Sequence, residues 1–251
     1  MKNFSKKEML QIVEENLSRH YGIDKSLLSQ KGLFFVEQGK KQNGSRLQIV
    51  MFYDCIVIIA GKTLLKKIRP IFESKSREEI FECPLVYGLT LRYLPSGVKC
   101  KKLFVKGFSF HVCDKQGLRG KDISSFPNAV CVDEKGDIKS EVFVCACQGD
   151  KVVGIAGAVK REHFEGMMEI GVDVLPEYRQ KGLAVALLQR LTDLLLKNKT
   201  IPFYSVASTN LGSQVVASKG GYLPVWCDSF ASIFDGSTSY DSLIYGMKNL
   251  F

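Results

Sequence analysis

Residues Ile170 to Leu188 read IGVDVLPEYRQKGLAVALL. The apolar, partly β-branched run from Met167 to Leu175 has the character of a strand, and Pro176 ends it. After the turn RQKGLA, Arg179 to Ala184, the residues Leu183, Ala186, Leu187, Leu191, Leu194 and Leu195 recur at helical spacing over Gly182 to Lys197. A strand feeding a helix through a glycine-bearing turn suits an anion, because a helix N-terminus carries unpaired N–H groups and a partial positive charge. Gly182 and Ala184 remove bulk there, and Arg179 and Lys181 add charge. The spacing is neither GxxxxGK[ST] nor GxGxxG, so a P-loop is excluded and a dinucleotide site disfavoured.

Working outward, Glu141–Gln148 and Lys151–Val159 are apolar runs joined by Gly149-Asp150, the pattern of a hairpin. Downstream, Phe203–Ala207 reads as a strand, Asn210–Lys219 as a helix, and Tyr222–Trp226 and Ser242–Met247 as closing strands. Hairpin, strand, helix, strand, helix, strand is the order of an α/β layered domain with a mixed sheet.

The first half is less regular. Ser5–Glu8 and Ser76–Glu79 have capping-box spacing and open two predicted helices. Leu33–Glu37, Leu47–Tyr53 and Cys55–Ala60 read as strands, the last two as a pair or one bent strand. Lys62–Glu73 is amphipathic, and Pro70 interrupts its end. Gly97–Asp114 suggests short strands and Leu118–Lys139 turns. A boundary between 106 and 135 divides the chain into a smaller α/β domain over 1–120 and a second domain over 121–251.

The run Ile170–Leu188 resembles the acetyl-CoA-binding signature of the GNAT superfamily of N-acetyltransferases. That signature is an apolar strand, a Pro-containing turn, then Arg/Gln-x-x-Gly-x-Gly/Ala opening a helix. STNLGSQVVASKGGYLPVW, Ser208 to Trp226, continues the likeness: an Asn opens the next helix, and Lys219-Gly220-Gly221-Tyr222 matches its end. The similarity covers roughly residues 140–230, and the layout is similar to bacterial members with an extra N-terminal domain. It implies a mixed, mostly antiparallel sheet flanked by helices, and direct transfer of acetyl from acetyl-CoA to the amine of a small-molecule acceptor.

Carried over, the resemblance implies that backbone groups of Val172 and Val174, with Asp173 between them, hold the pantetheine arm as an added strand. Backbone N–H groups of Gln180, Lys181, Gly182, Leu183 and Ala184 would take the pyrophosphate, reinforced by Arg179. Asn210 would reach the arm, with Ser213 beside it on the same helix. The smaller domain would shape the acceptor site.

Direct transfer needs a deprotonated amine and a proton donor for the leaving thiolate. Glu169 is the candidate base, against the alternative of a carboxylate that pairs across the sheet, and His163 and Glu165 in the preceding turn could replace it. Many relatives place a Tyr seven residues after the Asn, but Ala217 stands there. Tyr204 is then the candidate acid, with Ser213, Ser218 and Tyr222 as other donors. Trp226, the one Trp, suits the core or a wall of the acceptor pocket. The departure at Ala217 keeps a second reading open, a non-catalytic acyl-CoA sensor or interaction protein.

In the 251-residue chain, residues 1–130 hold 23 Lys and Arg against 12 Asp and Glu, and the rest 12 against 14. The basic half suits a solvated surface or an anionic ligand; no RGG, RNP-like or zinc-finger pattern supports nucleic acid. Eight cysteines without a CxxC pair give no metal site and fit reduced core thiols. The polar N-terminus and the short apolar runs predict neither signal peptide nor membrane span, hence a cytoplasmic location. A homodimer is compatible with this reading.

Overall fold

The structure is a computed structural model that describes residues 4–38, 46–83, 85–86, 88–97, 101–118, 122–230 and 232–233. The strand expected over Ser242–Met247 lies outside them. In chain order the elements are α1 (Lys6–Tyr21), α2 (Lys25–Leu28), β1 (Gly32–Glu37), β2 (Arg46–Phe52), β3 (Cys55–Ala60), α3 (Lys62–Phe72), α4 (Arg77–Phe81), β4 (Leu89–Pro95) and β5 (Ser109–Asp114). They continue with β6 (Val142–Gln148), β7 (Lys151–Val159), β8 (Met167–Val174), α5 (Leu183–Lys197), β9 (Ile201–Ala207), α6 (Leu211–Lys219), β10 (Tyr222–Ser229) and β11 (Ser232–Ile233). Among the described residues, no helix is long and apolar enough to cross a membrane.

The chain forms two compact units, one of residues 1–13, 92–206 and 210–224, the other of 14–91, 207–209 and 225–251. This differs from a cut at 120/121. Residues 92–120 fall in the first unit because β5 pairs with β6 along its whole length, from Ser109↔Cys147 to Asp114↔Val142. The turn-rich stretch between them is a covering layer of the same unit, not a linker.

In the second unit, β3 is central: β1 runs parallel to it on one side and β2 antiparallel on the other, with β10 and β11 antiparallel to β2. Its CIVIIA is buried throughout, as a strand covered on both faces requires. Leu65, Ile68 and Phe72 of α3 pack with Leu47, Ile49, Ile56, Ile58 and Ile80, so the amphipathic stretch buries its predicted face. The β2–β3 connection is the tight pair Tyr53-Asp54, with Tyr53 at φ 51, which settles a hairpin over a bent strand. The Ser76–Glu79 capping box is closed in both directions. Trp226, 2% exposed, lies opposite Phe52 in the core. Burial pushes the Cys55 and Cys227 thiols up from an ordinary 9.0 to about 11, Asp228 adding to the effect at Cys227.

The first unit carries a sheet β5-β6-β7-β8-β9, antiparallel except for the β8–β9 pair. One face is covered by α5, which buries Leu183, Val185, Ala186, Leu187, Leu188, Leu191 and Leu195. On the other face, Phe126, Ala129 and Val130 pack with Phe143, Cys145 and Ile155. Gly157 and Gly171 are cross-strand partners beneath that layer. A Cβ at Gly157 would lie 1.9 Å from the Ala129 carbonyl oxygen, and one at Gly171 only 1.7 Å from that of Asn128. Backbone therefore rests directly on backbone, which only glycine permits. Asp173 fixes this contact: its carboxylate accepts from the Asn128 N–H at 2.7 Å, the Asn128 side-chain amide at 2.6 Å and the Ala129 N–H at 2.8 Å.

Gly171→Ala should therefore lower stability by about 2–4 kcal/mol, read as a drop in the urea midpoint, because the opposing atom is backbone and cannot rotate away. Alkali should also destabilise the chain. The unfolded thiols of Cys55 and Cys227 ionise near 9 while the folded ones hold their protons to about 11. Stability is thus intact below pH 9 and lost as pH rises toward 11, by on the order of 2 kcal/mol per thiol. Urea midpoints at pH 7 and 10.5 measure the loss, and a Cys55→Ala, Cys227→Ala variant should lose less.

Candidate active site

The site begins where β8 leaves β9. Their parallel ladder runs Met167↔Ile201, Met168↔Pro202, Glu169↔Phe203 and stops. On its other side β8 stays paired with β7 as far as Gly154↔Val174. Among the described residues, Ile170 to Val174 are thus paired on one edge only. The Leu175 N–H donates to the Val153 carbonyl on the β7 side. Backbone groups alternate along a strand, so Val174 and Val172 turn theirs to the open side. Asp173 turns its backbone to β7, and its carboxylate is committed to Asn128 and Ala129. Asp173, expected among the cofactor-holding residues, holds the strand in shape through this carboxylate.

At the C-terminal end of that edge lies the turn into α5. Gln180 has φ 62 and Gly182 φ 83, two left-handed residues that swing the chain sharply into the helix. The backbone N–H groups from Gln180 to Val185 have no acceptor among the described residues; the first satisfied one is Ala186, which donates to the Gly182 carbonyl at 3.0 Å. Leu183 is buried and offers only its N–H, whereas Ala184 is partly exposed. Gly182 also serves the packing of this turn. A Cβ there would lie 2.7 Å from the Leu103 Cδ2. Glycine is needed for its φ and for packing. Arg179 donates from Nε to the Val174 carbonyl at 3.1 Å, which ties this turn to the open edge. The Lys181 ammonium sits 5.0 Å from the centre of the Tyr178 ring, and Lys151 is 5.2 Å from the same ring.

Tyr204 lies one residue past the last β8–β9 pair. It is buried, and burial raises its phenol above the ordinary value; a hydrogen bond from the Ser213 side chain works the other way, and the charge of Asp173 adds to the rise. Asn210 caps α6, its side-chain oxygen accepting from the Ser213 N–H at 3.1 Å. Asn210, Ser213 and Tyr204 therefore form one connected group. Ala217 is fully buried and Tyr222 donates to or accepts from Thr192 at 2.5 Å inside the core, so α6 presents no phenol of its own to the opening.

Glu169 lies on the other face of the sheet from Tyr204, since it is in register with Phe203. Its carboxylate is shared between two arginines. Arg161, from the turn after β7, pairs with Oε2 through Nε, and Arg92 on β4 approaches Oε1 at 3.7 Å. Arg92 also donates to the Ser205 hydroxyl on β9 at 2.8 Å. Burial disfavours the Arg161 charge, but Glu169, with a smaller contribution from the Cys131 thiol, outweighs it and raises its pKa. Pairing, the alternative to a base, is thus the observed state of Glu169. Arg92, Arg161 and Asn128 contact the candidate residues, Ser205 contacts Arg92, and sequence reasoning did not single them out. The signals for Asn128 were Gly157 and Gly171, strand-interior glycines that mark a close backbone approach.

The acetyltransferase (GNAT) family matches residues 121–222. Among solved structures, a GNAT-family acetyltransferase from Colwellia psychrerythraea is 14% identical over 57% of this chain and 56% of its own, with a TM-score of 0.44. A putative GNAT acetyltransferase from Novosphingobium aromaticivorans is 14% identical over 58% of this chain and 65% of its own, with a TM-score of 0.45. YncA, a putative acetyltransferase from Salmonella typhimurium with its cofactor acetyl-CoA, is 15% identical over 55% of this chain and 99% of its own, with a TM-score of 0.37. The chain thus spans under two thirds of the first two. No curated protein matches it. Residues 121–222 thus carry the match to the GNAT acetyltransferase family.

Proposed function

We propose that the protein is a cytoplasmic N-acetyltransferase that moves acetyl from acetyl-CoA to the amine of a small molecule by direct transfer. One observation carries this reading: the free edge of β8 leads straight to the unsatisfied N–H groups of Gln180–Val185. A strand edge with open N–H and C=O groups suits an extended chain bearing amides, which is what a pantetheine arm is. A run of N–H groups at a helix start suits the pyrophosphate that follows it. From Glu169 to Val174 the edge is about 17 Å long, so an arm anchored at the turn brings its thioester to the point where β8 and β9 part.

There the acceptor amine attacks the thioester carbonyl, the tetrahedral intermediate collapses, and the C–S bond breaks. Tyr204 faces the thiolate side with Asn210 and Ser213. Burial pushes its phenol up from the ordinary value, which makes it a poorer acid toward a thiolate. Tyr204 therefore acts by donating a hydrogen bond to the sulfur as charge develops, and the proton lost by the attacking amine balances the reaction. Glu169 is engaged by Arg161 and Arg92, and we assign it to positioning them; the amine enters as its free base or gives its proton to water.

The second reading, an acyl-CoA sensor, is motivated by that engagement of Glu169 and by Ala217. Thiol release from acetyl-CoA across an amine panel separates the two: binding without release on any amine would sink the transferase.

Ala184→Asp tests the anion site with opposed signs. A carboxylate in the first turn of α5 favours the helix dipole, so the thermal midpoint should hold or rise. The same charge should weaken CoA binding about tenfold or more by calorimetry, because it sits where the pyrophosphate docks. Equal affinity in a folded variant would refute the assignment. Tyr204→Phe should lower kcat about tenfold or more with the dissociation constant for CoA little changed. A loss confined to CoA affinity would remove Tyr204 from the chemistry.

A further inference from the structure

The acceptor's chemistry can be read from the charged group at the mouth of the opening. β8 and β9 part after Glu169 and Phe203, so Glu169 is the last paired residue before the cleft. Ser205 is two residues further along β9, on the same face. Arg92 bridges the two strands, reaching Ser205 at 2.8 Å and Glu169 at 3.7 Å. Arg161 approaches the same carboxylate from the turn after β7. The cluster thus straddles the point where the thioester would lie, on the face opposite α5 and Tyr204. An acceptor must come from this face if the thiolate leaves toward the other.

Within the cluster the two arginines are unequal. The Arg92 side chain is 19% exposed and Glu169 15%, whereas Arg161 is 47% exposed. Arg161 spends Nε on Glu169 and also hydrogen-bonds the Cys131 side chain, and its half-exposed guanidinium keeps further N–H groups of the kind that bind carboxylates. Glu169 divides its single charge between two guanidiniums, so it does not neutralise Arg161. A doubly cationic amine approaching here meets like charge. An amine that carries its own anion meets a receptor.

We propose that Arg161 binds a carboxylate on the acceptor, which makes the acceptor a small amino-carboxylate, its amine within two or three bonds of the acid. Glu169 and Arg92 are positioning residues: they orient the Arg161 fork from behind. The fork also favours the free amine, because a cation beside an ammonium promotes its loss of a proton. This rests on the acetyl-transfer reading above, since that reading places the thioester at the parting of the strands.

The test uses the full chain with acetyl-CoA and four acceptor sets: amino acids, their carboxamides, aminoalkyl phosphates and diamines. Thiol release and product mass are the readouts. Amino acids should exceed their carboxamides in kcat/KM by tenfold or more. Arg161→Gln should raise KM for the acids tenfold or more and bring the acid-to-amide ratio toward one. Arg161→Lys should restore part of it, with CoA affinity as the check on folding. Preference for aminoalkyl phosphates, or carboxamides and diamines used as well as acids, would overturn the assignment while leaving acetyl transfer standing. If no amine releases thiol, calorimetry of N-acetyl amino acids and their amides on the CoA-bound protein decides. Binding selective for the acid and lost in Arg161→Gln supports the site without turnover; equal or absent binding overturns it. Failure to bind acetyl-CoA at all would be the failure of the transferase reading.

Discussion

Everything in the first unit turns on β8 staying with β7 while it leaves β9. An unpaired strand edge is unfavourable unless something holds the strand from its other sides. Here three contacts do so. The β7 ladder continues to Val174 after the β9 ladder has stopped at Glu169. Leu187 of α5 fills one face against Gly154, and the Asn128–Ala129 backbone lies on Gly171 on the other. Asp173 locks that second contact with hydrogen bonds to both residues. The edge is open because β8 is fixed everywhere else. The orphan carbonyl of Val174 is not left bare either; Arg179 supplies a donor until a ligand does.

The same constraint sorts the charges. β8 runs into a turn with a run of unsatisfied N–H groups, and around it Arg179 is held by a carbonyl, Lys181 by the Tyr178 ring and Lys151 by that ring and Glu177. At the other end of the edge, Glu169 gathers Arg92 and Arg161. A cofactor with phosphates at one end and a reactive carbonyl at the other would span two positive ends with a neutral edge between them. That arrangement fixes direction as well as position, since only the phosphate end finds the run of N–H groups.

Much of this was legible in the sequence, for a local reason. Strand, turn and helix over Ile170–Leu188 depend on residues a few positions apart, so periodicity and turn chemistry suffice to read them. Asn210 as a cap is local too. What escaped was long-range. Arg92 meets Ser205 across 113 positions, and Asn128 meets Asp173 across 45. No spacing rule reaches that far. The division at 120/121 followed charge and turn content, whereas the pairing of β5 with β6 spans the turn-rich stretch. Gly182 has a long-range side as well. Its left-handed φ is what the turn needs, but its missing side chain makes room for Leu103.

The absent Tyr at position 217 has a packing cause that bears on mechanism. Ala217 is fully buried, and three residues on, a Cβ at Gly220 would lie 2.6 Å from Leu188 of α5. The two helices meet too closely there for a phenol, and a ring forced in would overpack the contact. Tyr222 cannot substitute, because its hydroxyl is spent on Thr192. Tyr204 is then the phenol joined to the group that begins at Asn210, and it reaches that group from the sheet through Ser213. A donor on a strand moves less than one on a short surface helix. Its burial favours the protonated form, so in the transfer we propose it would serve as a fixed dipole aimed at developing negative charge, a role that needs placement more than acidity.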